Sequence, residues 1–233
     1  MLYLAAVAVM ILSLIIQAWL KATVKKWSKV DAGTGYNANS AVEKMFEDND
    51  INNIAIDHKG GELTDCYSPN DGRIFLSDTT YGRSSVAAIA VAAHECGHAI
   101  QDKVGSPIYR LRQKLVVPAN IGSRAGVYIA LIGLLIASAA QMSDLGMKIA
   151  NIGVWMYFIT FLFYLVMVPV EIGASARGLQ SIKTNGFIKD EYVSGARKVL
   201  TAAASTYVIS MASAGVSFLR ILSMVNGGNS RRR

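Results

Sequence analysis

Two histidines four residues apart, His94 and His98, flank Glu95 in the run V-A-A-H-E-C-G-H-A-I from Val91 to Ile100. On a helix this spacing projects both imidazoles from one face, one turn apart. Two neutral imidazoles so placed hold Zn²⁺, and the intervening glutamate lies beside the activated water as general base. The flanks favour a helix: from Ser84 to Lys103 there is no Pro, Ala is plentiful, and Gly97 is the single glycine. The motif takes up two of the three histidines in the chain. Its chemistry is that of a zinc hydrolase.

No histidine follows His98, which excludes the H-E-x-x-H-x-x-G-x-x-H class. The third ligand is then His58, a carboxylate or a cysteine. Glu171 is the favoured candidate: it follows Pro169-Val170 at the end of a long apolar stretch, where an acid is costly unless paired or bound. Pairing to Arg177 or another basic neighbour is the alternative. A site-2-type intramembrane metalloprotease, with the motif helix in the bilayer and an Asp such as Asp144 as ligand, is a rival reading. The apolar run Val86 to Ile100 is too short to span. A non-catalytic, metal-binding membrane scaffold is a second rival, since a motif establishes capability rather than turnover.

The elements that must hold these groups are largely of membrane length. The chain has 233 residues, 52% of them apolar, and four apolar stretches approach or reach the bilayer thickness. The fold class expected is mainly α: an integral membrane helical bundle of about four transmembrane segments carrying a small cytoplasmic α+β zincin-like module. Leu2 to Leu20 is almost wholly apolar, with no basic residue before it and Lys21, Lys25, Lys26 and Lys29 after it. That bias is the reverse of a signal peptide and predicts an uncleaved anchor whose C-terminal flank is cytoplasmic.

The expected organisation is an anchor over 1–20, a cytoplasmic catalytic module over 21–118, and a membrane domain over 119–233. Spans are expected at about 121–140, 149–170 and 199–222. The linker Gln141 to Lys148 carries one basic residue, whereas Arg177, Lys183, Lys189, Arg197 and Lys198 lie between the last two spans. The positive-inside rule therefore makes 171–198 cytoplasmic, on the face of the motif helix, while Asp144 falls on the other face. The fourth stretch, rich in Ala and Ser, is read as a span, although Arg231 to Arg233 would then lie outside; a re-entrant or interfacial segment removes that conflict.

Within the soluble part, Asp31 to Ala41 is turn-rich, Ala41 to Asp48 reads as a short amphipathic helix, and Ile54 to Asp57 as a strand. Tyr67 to Gly72 reads as a turn leading into a strand at Arg73 to Ser77. Many zinc peptidases place an edge strand that pairs with extended substrate at that point; an ordinary hairpin strand is the equal alternative. Pro107 to Pro118 is basic and amphipathic, suited to a lipid interface or to a solvated loop helix. The formal charge of +7 clusters beside the apolar segments and suits membrane topology; no nucleic-acid motif accompanies it. Cys66 and Cys96 form no disulfide framework and are expected as free thiols.

Several runs carry a resemblance: L-T-D-C-Y-S-P (Leu63 to Pro69), Y-G-R-S-S-V-A-A-I-A-V-A-A-H-E-C-G-H-A-I-Q (Tyr81 to Gln101), V-P-V-E-I-G-A-S (Val168 to Ser175) and G-A-R-K-V-L-T-A-A-A-S-T-Y-V (Gly195 to Val208). Over Asn37 to about Tyr207 the chain resembles the membrane-bound neutral zinc metallopeptidases of the YugP-like family. The resemblance implies a gluzincin-type site, with His94, His98 and Glu171 as zinc ligands and Glu95 as catalytic base. It implies a protease of the bacterial cytoplasmic membrane. This sequence departs from the family at Cys66, where His is common, and at Gly173, where an acid or amide is common. An oxyanion donor is also needed; Tyr207, Arg197 and Tyr67 are candidates, each with packing or surface roles as the alternative. Expected substrates are proteins or peptides, unfolded or membrane-inserted, by position alone; the bilayer is the other partner.

Overall fold

The computed structural model describes residues 1–139 and 143–230. Gln141 and Met142 of the expected linker, the last residue of the expected 121–140 span, and Arg231 to Arg233 lie outside the described residues. The chain is mainly helical, in the order α1 (Leu2–Trp27), α2 (Ala38–Asp48), β1 (Ala55–Lys59), β2 (Cys66–Ser68), β3 (Arg73–Ser77), α3 (Val86–Lys103), α4 (Pro107–Ala139), α5 (Ser143–Asn185) and α6 (Asp190–Ser230). Helices α1, α4, α5 and α6 are long and apolar enough to cross a membrane. The described residues divide between two compact units: one holds those within 1–14, 111–168 and 207–230, the other 15–110 and 169–206.

The second unit contains the sheet, α2 and α3. Helix α2 starts three residues before the apolar pattern suggests, because Asn37 caps it. The Asn37 side chain accepts from Ser40 N at 2.9 Å, and the Ser40 hydroxyl accepts from Asn37 N at 3.0 Å. Ser85 caps α3 in the same way, accepting from Ala88 N at 3.2 Å. The alanines of α3 earn their number through packing: Ala87, Ala88, Ala90, Ala92, Ala93 and Ala99 are all buried. Around them lie Val42, Met45 and Phe46 of α2, Ile74 and Leu76 of β3, and Ile182 of α5. Small side chains let neighbouring backbones come close, and the site depends on that.

The sheet corrects one expectation. Strand order is β1-β3-β2, with β1 parallel and β2 antiparallel to β3. Arg73 to Ser77 is therefore the central strand and offers no free edge to a substrate; the ordinary hairpin alternative is what forms. The edge next to α3 is β2, Cys66–Ser68, a strand of three residues that overlaps the start of the stretch read as a turn.

In the first unit α4 and α5 meet along a seam of glycine and alanine. A Cβ on Gly122, Gly133, Gly146 or Gly153 would collide with backbone of the facing helix, and one on Gly126 would stand 2.9 Å from Gly153 O. Such close approach is how membrane helices gain packing contact where no hydrophobic driving force exists between them. Thr160 donates its hydroxyl to Ala119 O at 2.9 Å across the same seam. Phe161 of α5 stacks on Phe218 of α6 with centroids 6.1 Å apart. Pro107 to Pro118 forms the first turns of α4, which continues through Pro118, and α6 is one unbroken helix.

Candidate metal centre

Helices α3 and α5 touch backbone to backbone within the second unit. A Cβ on Gly97 would overlap the carbonyl of Ala174, and one on Gly178 would stand 2.8 Å from Ala93 O. On α3, Ala93, His94, Gly97, His98 and Gln101 share a face; on α5, Glu171, Ala174, Ser175 and Gly178 share another. Two glycines thus remove the side chains that would hold the helices apart. Glu171 then lies among the imidazoles.

The three predicted ligands converge. Glu171 Oε2 lies 3.1 Å from His94 Nε2 and 3.5 Å from His98 Nε2, and all three ligand atoms fall within 4.8 Å of one another. Two atoms bound to one tetrahedral zinc are separated by about 3.3 Å, so the spacing fits. The His94 and His98 rings stand nearly perpendicular, at 83°. Glu171 is 3% exposed at its side chain, which makes an unsatisfied carboxylate there expensive. Arg177 does not provide the partner: its guanidinium donates to Gly173 O at 3.2 Å.

The other ring nitrogens test whether these residues suit a metal. His98 Nδ1 is 3.0 Å from Gln101 Oε1, and Gln101 Nε2 donates to Val170 O at 2.8 Å. The carbonyl of Val170 can only accept, so it fixes the amide orientation and leaves Oε1 as acceptor for His98 Nδ1–H. His94 Nδ1 is 3.0 Å from Ser175 Oγ, which can likewise accept. With both protons on Nδ1, both Nε2 lone pairs face Glu171, as metal ligation requires. In the metal-free protein, burial pushes the His98 imidazolium down. The hydrogen bond and charge of Glu171 push it further up, and the net value lies above that of an ordinary histidine.

Glu95 is absent from the ligand cluster. Its Oε2 accepts from Tyr67 N at 2.9 Å, so the glutamate is held by the edge of β2. The Tyr67 hydroxyl donates to Asp102 Oδ2 at 2.8 Å, two turns along α3. Burial, reinforced by that carboxylate, pushes the Tyr67 phenol well above its usual range, which keeps it a donor. Tyr67 therefore clasps α3 at two points, and its hydroxyl is engaged by Asp102.

The remaining candidates are distributed elsewhere. His58 Nε2 pairs with Asp78 at 2.7 Å on an exposed surface and is outside the cluster. Asp144 is exposed in the first turn of α5 and belongs to the first unit. Arg197 is exposed on α6 in the second unit, and Tyr207 belongs to the first. Cys96 is buried, which pushes its thiol well up; Cys66 is half-buried, and burial raises it too. Gly173 leaves room for Gln101, since a Cβ there would stand 2.9 Å from Gln101 Nε2. Sequence reasoning missed Gln101, Ser175 and Asp102. The available signal was helical spacing: three residues beyond His98, four beyond Glu171, and seven beyond Glu95.

Comparison with known proteins agrees with this geometry. The family described as "Putative neutral zinc metallopeptidase" matches residues 2–226. The chain is 32% identical over 219 residues to the "Putative membrane protease YugP" of Bacillus subtilis (strain 168), covering 94% of this chain and 92% of that one. No solved structure matches the chain. A match from the first helix to near the end of the last, around two histidines and a glutamate set for a metal, establishes that the chain belongs to this zinc metallopeptidase family.

Proposed function

We propose that the chain is a membrane-bound, zinc-dependent endopeptidase with His94, His98 and Glu171 as ligands and Glu95 as general base. The observation that carries this reading is the convergence of two Nε2 atoms on Glu171 while both Nδ1 atoms are held from behind. Zinc, when bound, supplies a Lewis acid for the attacking water and the scissile carbonyl. Glu95 receives the proton of that water and passes it to the leaving amine. The Tyr67 N–H restrains the carboxylate that does so, and Gln101 and Ser175 keep the imidazoles in the ligating tautomer. Tyr67 contributes through its clasp on α3.

The membrane arrangement belongs to the same proposal. The lysines after Leu20 and the five basic residues after Glu171 favour a zincin-like module, 21–118 with 171–198, on the cytoplasmic face of a bacterial membrane. The anchor 1–20 and spans near 121–140, 149–170 and 199–222 would hold it there. Substrates reaching such a site are peptide segments of unfolded or membrane-inserted proteins.

The deciding experiment is zinc per chain in detergent-purified wild type, His94→Ala, Glu171→Ala and His58→Ala, joined to cleavage of an unfolded protein by wild type and Glu95→Gln. Zinc in wild type and His58→Ala, its loss in the other two, and cleavage abolished by Glu95→Gln are expected. Full zinc in Glu171→Ala would reject the ligand set. Equal cleavage by wild type and Glu95→Gln would reject the enzyme.

A further inference from the structure

Among the described residues, the first unit holds a cation that no carboxylate neutralises. Arg220 lies on α6 near the end of the fourth apolar stretch, and its guanidinium sits over the Tyr3 ring with Cζ 4.8 Å from the centroid. Among the described residues, Arg220 Nε is the buried side-chain nitrogen or oxygen left without a hydrogen-bond partner. No carboxylate is available from either flanking helix: residues 1–14 and 207–230 contain no Asp or Glu. An unpaired guanidinium among apolar helices is costly, and such a residue marks a functional site whose partner must be named.

Space for that anion adjoins the charge. A cleft of about 480 Å³ lies between the start of α1 and the end of α6, lined among others by Tyr3, Met10, Ser13, Ser213, Ser217 and Arg220. Its two ends differ. Tyr3 and Arg220 meet at one, and Ser13 and Ser213 lie together at the other. Ten residues of helix separate Tyr3 from Ser13, about 15 Å, which is half of a hydrocarbon core about 30 Å thick. The cleft thus has the depth of one leaflet, with a cation at one end and an apolar wall of Ala6, Val7, Met10 and Val216 along its length. No residue in the apolar window of α1 is fully buried by the rest of the chain.

We infer that this cleft binds one anionic phospholipid, the phosphate on Arg220 and an acyl chain between α1 and α6. The guanidinium sits over the Tyr3 ring, and its terminal nitrogens are the donors that would meet the phosphate, a group arginine binds with paired N–H bonds. The cleft is smaller than a whole diacyl lipid, so the second chain stays in the surrounding bilayer. A zwitterionic lipid brings its own cation to the same place and gains less.

Native mass spectrometry of the delipidated full chain tests this, with equimolar phosphatidylglycerol and phosphatidylcholine of identical chains. The wild type is expected to retain one phosphatidylglycerol at least about tenfold in preference. Arg220→Gln should bring the two lipids to parity. Ser217→Leu, which fills the cleft and leaves the charge, should do the same, and it decides the matter if Arg220→Gln does not fold. Arg124→Gln, an exposed basic residue of the same unit, should keep the preference. Equal binding in wild type, a preference surviving Ser217→Leu, or equal loss in Arg124→Gln would overturn the site. Displacement by inorganic phosphate would identify a free-anion site instead, and retention of a protein in place of lipid would likewise overturn the inference.

Discussion

Gln101 accepts the Nδ1 proton of His98 at 3.0 Å while its own amide N–H reaches across to the helix that carries Glu171. One buried side chain thereby sets the tautomer of one ligand and the position of another. Gln101→Leu keeps similar bulk but removes both bonds. Zinc affinity is expected to fall about 10- to 100-fold, the usual cost of losing a partner behind a metal ligand. Competition of purified protein with a chelating dye reads this directly, and unchanged affinity would assign Gln101 to packing alone.

Contact between α3 and α5 at Gly97 gives a second expectation. A side chain at Gly97 must displace the Ala174 carbonyl, and that carbonyl lies one turn from Glu171. Gly97→Ala should cost about 1–3 kcal/mol as an overpacked interface and weaken zinc binding by moving Glu171 away from the imidazoles. Gly186→Ala offers the contrast: nothing lies within 4 Å of a Cβ there, but its φ of +63° adds backbone strain. It should lower stability and leave the zinc affinity of the folded protein intact. Thermal unfolding and metal titration, measured together, separate the two effects.

The parts of the site that could be read from the sequence are those that follow from local rules. His94, Glu95 and His98 are fixed by a four-residue spacing on a helix that Ser85 caps and alanines fill. Glu171 stands out because an acid follows a long, largely apolar run. Strand β2 was not legible: Cys66 to Ser68 is followed at once by Pro69, Asn70, Asp71 and Gly72, and three residues become a strand only through pairing with β3. Sheet order was equally hidden, since β1 reaches past β2 in sequence to lie parallel to β3. Gln101 looks like any polar residue at the end of a helix. Its burial is decided by the passage of α5, a tertiary event that two glycines permit and no local pattern announces.

Tyr67 supplies a third prediction. Its backbone N–H holds Glu95 and its hydroxyl is tied to Asp102, so loosening the hydroxyl should loosen the base without touching the ligands. Tyr67→Phe is expected to leave zinc content unchanged, to cost about 1 kcal/mol in stability for one lost hydrogen bond, and to lower kcat more than it raises KM. Asp102→Asn retains an acceptor for the phenol and should be milder. A fall in zinc content in Tyr67→Phe would mean that the clasp supports the ligands rather than Glu95.

A fourth concerns pH. In the metal-free protein burial pushes the His98 value down, but Glu171, with Glu95 and Gln101, pushes it further up, to above that of an ordinary histidine, about 6.5. The stability this contributes is fully present below the unfolded value and is lost as pH rises through the raised folded one. Zinc needs the same lone pair, so binding must release that proton. Apparent affinity should therefore fall about tenfold per unit as pH drops below the raised value, and the zinc-dependent rise in Tm should be larger near about pH 8 than near about pH 6. The cause can be isolated by NMR titration of the histidines in metal-free protein. Glu171→Gln removes the charge but keeps the burial, so His98 should move from above the ordinary value to below it. If its titration is the same in both proteins, Glu171 does not control the proton that competes with the metal.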